Sequence, residues 1–366
     1  MLTPVSTDIG WPQPEPERVL RAALGDHAEA IAAWESFCRE VSLDDVDDGT
    51  CELLPQVYRN LLRHEYGGPT LDRLQAIATQ TRLQNQALFE ETMPAVQCLH
   101  LASIPTMLLR GTALSVSASG RDARPLRSFD LLVPTRDFGR ALELLTNQGW
   151  RSSTGFPASL TLTQQRYLRA VELVNPQGRI LNLHWHLLHQ SRSPRADAGF
   201  WKRAWPIDLL EGGCWRLPPT DQLLEICAQG LENRQDAPGR WVFDAMMTIR
   251  AGKVDWDLLL NLARQHDVVL PLRDALRYLR ESFQAPIPRS VIWHLRKLPL
   301  SRFARMEYRQ QVRPDAAPNP LVKLVAAYRD YRRGVRDWPL LRRLAGFPAY
   351  LAFSFRLPGT RQITES

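Results

Sequence analysis

The chain is short of cysteine, of long apolar runs and of repetitive sequence, and each shortage excludes a class. Its five cysteines, Cys38, Cys51, Cys98, Cys214 and Cys227, are odd in number and scattered, with no CxxC and no Cys/His ligand spacing. That rules out a disulfide framework or a zinc module and points to reduced, mostly buried thiols in a cytosolic protein. No window reaches ~18 apolar residues, so no transmembrane helix is expected. The start, MLTPVSTDIGWPQPEPERV, has no basic stretch followed by an apolar run, which argues against export. There is no internal repeat and no low-complexity tract.

What is present is ordinary globular composition with a basic excess. Of 366 residues, 44% are hydrophobic and 23% charged, enough apolar sequence for a core and too much for a disordered chain. Formal charge is +7 and the pI about 9.4, the excess coming from arginine. This favours an anionic partner such as a nucleotide, a nucleic acid or an acidic lipid, and says nothing about fold. A genome rich in G and C would produce the same excess.

Along the chain, the length allows two or three domains. Residues 1–15 are Pro-rich and read as a flexible arm. From 16 to 102, Leu, Ala, Trp, Phe and Val recur at helical spacing, with Asp26 placed to cap a helix and 70–102 forming one long helix or two collinear ones. Residues 103–192 alternate strand and helix: strands at 104–109, 129–133, 150–153, 169–175 and 179–187, and a short helix over 113–119. A second helix, capped by Thr135, closes at Gly149. FWKRAWPIDLLEG reads as a linker or short strand region. Residues 193–290 are mainly helical, with Thr220 as a cap, and 291–366 add helices rich in Arg and aromatics. The fold class expected is α+β: a small mixed sheet with helices on it, flanked by all-helical N- and C-terminal regions.

The residues that could carry chemistry lie in Leu108–Val133, LLRGTALSVSASGRDARPLRSFDLLV. A glycine turn lets backbone N–H groups approach a phosphate, and acidic residues two apart on a strand share a face and could hold a metal ion. This stretch resembles the "LKGxAL … RxxxDhDLLV" signature of the uncharacterised bacterial nucleotidyltransferases of the polymerase-beta-like superfamily. The likeness continues at Leu181-Asn182-Leu183-His184-Trp185, similar to the family's "hELHW" strand, and covers roughly Leu53 to Pro288.

The resemblance implies a site. Gly111 and Thr112 would form the phosphate-facing turn, Arg110 stands at the family's lysine, and Arg124 and Arg127 add charge suited to anionic oxygens. Asp130 matches the second acid of the strand pair and would hold Mg²⁺. Ser128 falls on the first acid's position and Asn182 on the third, so one of three expected carboxylates remains. Neutral oxygen ligands should weaken a two-ion site severely. His184 and His186 alternate on the strand of Asn182 and could bind a transition metal or shuttle protons, or be hydrogen-bonded structural residues. His189 reads as a surface residue. Gln229 departs from the family's "CxHG", and Asp244 follows "rWhhD" as a helix residue.

Two functions follow as expectations. One is transfer of a nucleoside monophosphate from an NTP to an acceptor; the resemblance implies a peptide or sugar acceptor, since members of that family often sit near peptide-modification or polysaccharide-export genes. The other is a degenerate member that binds nucleotide or serves as a scaffold in a biosynthetic complex. The segment KLVAAYRDYRRGVRDWPLLRRLAGFPAYLAFSF could contact a membrane surface or pack on the body. No nucleic-acid-binding motif is present.

Overall fold

The computed structural model describes residues 14–116, 124–153, 160–209, 213–230, 239–300, 304–306, 308 and 320–356. The N-terminal helices are α1 (Pro14–Leu24), α2 (His27–Glu40), α3 (Asp48–Cys51), α4 (Leu54–Arg63) and α5 (Leu71–Leu101). Asp26 accepts the Glu29 backbone N–H at 3.1 Å and caps α2. The arm expected over 1–15 lies outside the described residues, except that Pro14 and Glu15 open α1. α5 is a single helix of 31 residues that carries Pro94 within it.

One mixed sheet of seven strands follows: β1 (Thr106–Leu108), β2 (Ser128–Leu132), β3 (Arg151–Ser152), β4 (Ala170–Val174), β5 (Ile180–His184), β6 (Trp205–Ile207) and β7 (Cys214–Arg216). Their order is β3-β4-β5-β2-β1-β7-β6, with β2 parallel to β5 and β1 parallel to β7. Between them lie α6 (Arg110–Ser115), α7 (Phe138–Asn147), α8 (Leu162–Gln165) and α9 (Ala198–Arg203). The helices α10 (Pro219–Gly230), α11 (Arg240–Arg250), α12 (Trp256–Gln265), α13 (Val269–Phe283) and α14 (Arg289–Lys297) form a second helical body. The architecture is the α+β arrangement expected, with β6 falling in the stretch read as a linker or short strand region and β7 just beyond it. Among the described residues no helix is long and apolar enough to cross a membrane.

Alternation along the strands separates a core from a site. Phe129, Leu131, Leu181, Leu183, Val171 and Leu173 are buried in one apolar cluster with α5 and α7. There Phe89 meets Phe129 edge-on at 5.1 Å and Phe138 lies on Trp185 at 4.0 Å. Ser128, Asp130 and Asn182 take the opposite face. A second cluster joins the N-terminal helices to α10–α14.

Three local expectations need correction. The helix after β1 begins at Arg110 and ends at Ser115, and positions 117–119 lie outside the described residues. Thr135 does not cap α7; its hydroxyl donates to the Trp185 carbonyl at 3.0 Å, tying the end of β2 to the end of β5. Thr220 sits within α10, and its hydroxyl accepts the Asp255 backbone N–H at 2.8 Å.

The C-terminal helices Pro320–Gly334 and Leu340–Arg356 pack on the body, with Tyr331, Val335 and Tyr350 buried in the sheet cluster. Leu340, Leu341 and Leu344 remain exposed. Asp330 is the anchor. It pairs with Arg192 at 2.9 Å and His189 at 2.8 Å, and it accepts the Tyr350 hydroxyl at 2.7 Å. His189 is therefore largely enclosed, contrary to the surface position expected. Asp330→Ala leaves the buried Arg192 guanidinium without its counter-ion, which should lower stability by about 3–5 kcal/mol. Urea unfolding measures the loss, and limited proteolysis should show the C-terminal helices released first.

Candidate active site

β2 and β5 run parallel with Asp130 opposite Asn182, and β4 is antiparallel to β5 with Glu172 opposite Asn182. Three polar side chains therefore stand in one row across the sheet, because paired residues share a face. Asn182 Nδ2 donates to Asp130 Oδ1 at 3.0 Å and to Ser128 Oγ at 3.1 Å. Ser128 Oγ donates to Asp130 Oδ2 at 3.3 Å, and His184 Nε2 lies 3.3 Å from Asp130 Oδ1. Burial opposes ionisation of Asp130, but the His184 hydrogen bond, the Arg110 charge and the Asn182 amide together hold its carboxyl well below the usual range. Burial pushes His184 down to about 4, so the ring is neutral near pH 7.

Helix α6 serves this carboxylate from behind. Thr112 is fully buried, and its hydroxyl accepts the Asp130 backbone N–H at 3.1 Å. It braces the strand and does not face a phosphate. Gly111 is needed for packing: a Cβ there would overlap the Arg124 guanidinium. Arg124 in turn makes a two-pronged ion pair with Asp244 on α11, at 3.1 and 2.8 Å. Its role is to join the segment before β2 to the helical body. Asn85 on α5 adds a second tie, donating to the Arg124 carbonyl at 2.7 Å and accepting the Leu126 N–H at 2.9 Å. Arg127 and Arg240 both pair with Glu52 from the N-terminal helices.

Opposite the sheet, α10 presents Glu225 and Gln229, one turn apart. Gln229 Oε1 accepts from Arg110 and from Arg169 NH1, the latter at 3.1 Å, while its Nε2 donates to the Leu187 carbonyl at 2.9 Å. Arg110 lies 3.8 Å from Asp130 Oδ1 and 3.6 Å from Glu225 Oε1. Its backbone is left-handed, with φ 49°, a strained conformation for a residue with a Cβ. Glu225 is 1% exposed, and burial, with Asp130 adding to it against the pull of Arg110 and Arg169, pushes its carboxyl up to about 7. These groups enclose a cavity of ≈ 340 Å³ that also reaches Arg124, Arg127 and Glu172.

The donor set does not suit the divalent ions that the family resemblance implies. Both oxygens of Asp130 already accept hydrogen bonds, the neighbouring positions supply a serine and an amide, and a guanidinium stands where a second cation would be repelled. Among the described residues no three of His, Cys, Asp or Glu converge to hold a metal ion. His186 turns away from the site, its Nδ1 2.7 Å from Asp197 Oδ2, so the two histidines do not form one ligand pair.

The structure thus brings Asp130, Ser128, Asn182, His184, Arg110, Gly111 and Arg124 to one cavity and withdraws Thr112 and His186 from its lining. Arg169, Glu172 and Glu225 were missed. Glu225 carried a signal, an acid set among Leu223, Leu224, Ile226 and Cys227 in a helix buried on nearly every side. Glu172 carried a weaker one, an acid interrupting an apolar strand.

In comparisons with known proteins, the model of an uncharacterised nucleotidyltransferase family matches residues 50–284, nearly two thirds of the chain. No curated protein and no solved structure gave a significant match.

The buried acid on α10 predicts a pH-dependent stability difference. Because the folded-state carboxyl titrates near 7 and an ordinary glutamate near 4.5, the stability Glu225 contributes is full below about 4.5 and is lost as pH rises towards 7. Glu225→Gln carries no such loss. It should melt with the parent at about pH 5 and be more stable at about pH 8, by on the order of 3 kcal/mol. Thermal melts at the two pH values measure the difference.

Proposed function

Because this chain belongs to the uncharacterised nucleotidyltransferase family, we propose that its cavity binds a nucleotide through arginines in place of a divalent-metal pair. In this reading the protein serves as a nucleotide-binding partner in a biosynthetic complex. The observation that carries the proposal is the state of Asp130: its carboxylate is taken up by Asn182, His184 and Ser128, while Arg110 and Arg169 converge on Gln229 across the cavity. Guanidinium groups recognise phosphate oxygens by two-pronged hydrogen bonds, and here two of them donate to one amide oxygen on the cavity wall. The cavity of ≈ 340 Å³ is of the size that accepts a small ligand. Thr112, facing β2, takes no part, and Gly111 contributes its lack of a side chain.

One observation favours a second reading, transfer of a nucleoside monophosphate from an NTP, with Mg²⁺, to a peptide or sugar acceptor. Glu172 stands in register with Asn182, and Glu225 lines the same cavity, so two acids absent from the motif positions are nearby. In that case Asp130 and Glu172 would be the acids nearest an ion, with Ser128 and Asn182 as weak neutral ligands.

A nucleotide titration separates the two. ATP should raise the melting temperature equally with Mg²⁺ and with EDTA, and Arg169→Gln should remove most of the shift. The double replacement Ser128→Asp with Asn182→Glu should make the shift depend on Mg²⁺, since it restores carboxylates in the row of Asp130. An ATP effect in the parent protein that needs Mg²⁺ and disappears in Asp130→Ala supports the transfer reading instead.

A further inference from the structure

Arg110 is enclosed by three acceptors that are unlike one another. Gln229 is fully engaged, and Asp130 is satisfied by other donors. Glu225 is neither. Among the described residues neither of its oxygens completes a hydrogen bond, although the Arg110 backbone amide lies close enough to favour its charged form. A buried carboxylate without donors is costly, and removing that cost takes either a proton or a ligand. Glu225 lies on the wall of the cavity, 3.6 Å from Arg110, whose backbone is left-handed.

We propose that Glu225 exchanges a proton as the cavity's anion comes and goes: protonated, it leaves the Arg110 charge to an incoming phosphate, and ionised, it competes with that phosphate. The inference rests on the phosphate-binding reading above and adds a residue and a linkage to it. The step is a proton transfer alone: as the phosphate enters, an O–H bond forms on the Glu225 carboxylate and the bond to that proton breaks in a buffer acid of the solvent.

The charges that face Glu225 set the direction. Arg110 on α6 and Arg169 just before β4 favour its ionised form, whereas Asp130 on β2 and burial oppose it. His184 on β5 is neutral near pH 7. On α11, Asp244 is engaged by Arg124, and Arg240 by Glu52. α12 and α13 also pack on α10 and bring no side chain to the cavity. With burial ahead, Glu225 sits at about 7 before any ligand arrives. A phosphate adds negative charge nearby and draws Arg110 away, and both effects raise the carboxyl further. Binding therefore takes up a proton at and above neutral pH, and affinity falls as pH rises through that window.

Calorimetry of ATP binding, in EDTA and in two buffers of different ionisation heat, reads the proton count directly. Near pH 7.5 the parent protein should take up roughly half to one proton per ATP, and its affinity should drop up to about tenfold between pH 7 and 8. In Glu225→Gln the uptake should shrink to what the ligand alone contributes, and the affinity should be nearly flat over that range. ATP binding with the same proton count in both proteins overturns this inference and leaves the phosphate-binding reading standing. No ATP binding overturns both. Should Glu225→Gln fail to fold, the parent protein decides alone: an affinity that does not change between pH 7 and 8 overturns the proposal.

Discussion

Everything in the cavity is arranged around one buried carboxylate, that of Asp130. Asp130 stays ionised because Asn182, His184 and Ser128 point hydrogens at it and Arg110 stands 3.8 Å away. Each of those partners is itself fixed by strand register. Asn182 is the cross-strand neighbour of Asp130, Ser128 is two residues earlier on the same face, and His184 is two residues beyond Asn182. The same hydrogens that make the charge tolerable take up most of the lone pairs a metal ion would need. Stability of the buried charge and occupancy by a divalent cation are therefore competing uses of the same oxygens.

The surrounding fold holds that arrangement from three directions. α10 carries Glu225 and Gln229 one turn apart and so sets the position of Arg110 and Arg169 together. The ion pair of Arg124 with Asp244 binds the segment before β2 to α11, and Glu52 links Arg127 and Arg240 to the N-terminal helices. Asn85 closes the same segment onto α5. Two acids in one cavity then differ sharply in environment. Asp130 is surrounded by donors and held low, whereas Glu225 is buried without them and held high. Such a division between two carboxyl groups is what proton exchange requires.

Much of the frame was legible in the sequence because it depends on local rules. Asp26 at a helix start, the apolar alternation of SFDLL and ILNLH, and the turn Asn175–Gly178, with Gly178 at φ 81°, each follow from backbone chemistry and spacing. The strand positions of Ser128, Asp130 and Asn182 also followed from matching motifs, and the structure brings them into contact. What was not legible depends on partners far apart in the chain. The hydroxyl of Thr112 looks free for a phosphate until Asp130, 18 residues later, is folded over it. Arg124 looks like a binding residue until Asp244, 120 residues on, is placed opposite it. Thr135 and Thr220 have the chemistry of helix caps, but Trp185 and Asp255 offer them other bonds. Arg169 and Glu225 gain their meaning only from Gln229 and Arg110.

The central claim is that the hydrogen bonds on the Asp130 carboxylate and the nearby Arg110 charge make it a poor site for a tightly bound divalent ion. Paramagnetic resonance of free Mn²⁺ during titration of the nucleotide-free protein tests it most directly. The account predicts that the free-ion signal rises in proportion to added Mn²⁺, with no site tighter than about millimolar. A submillimolar site with one or two ions per chain, lost in Asp130→Ala, would contradict it.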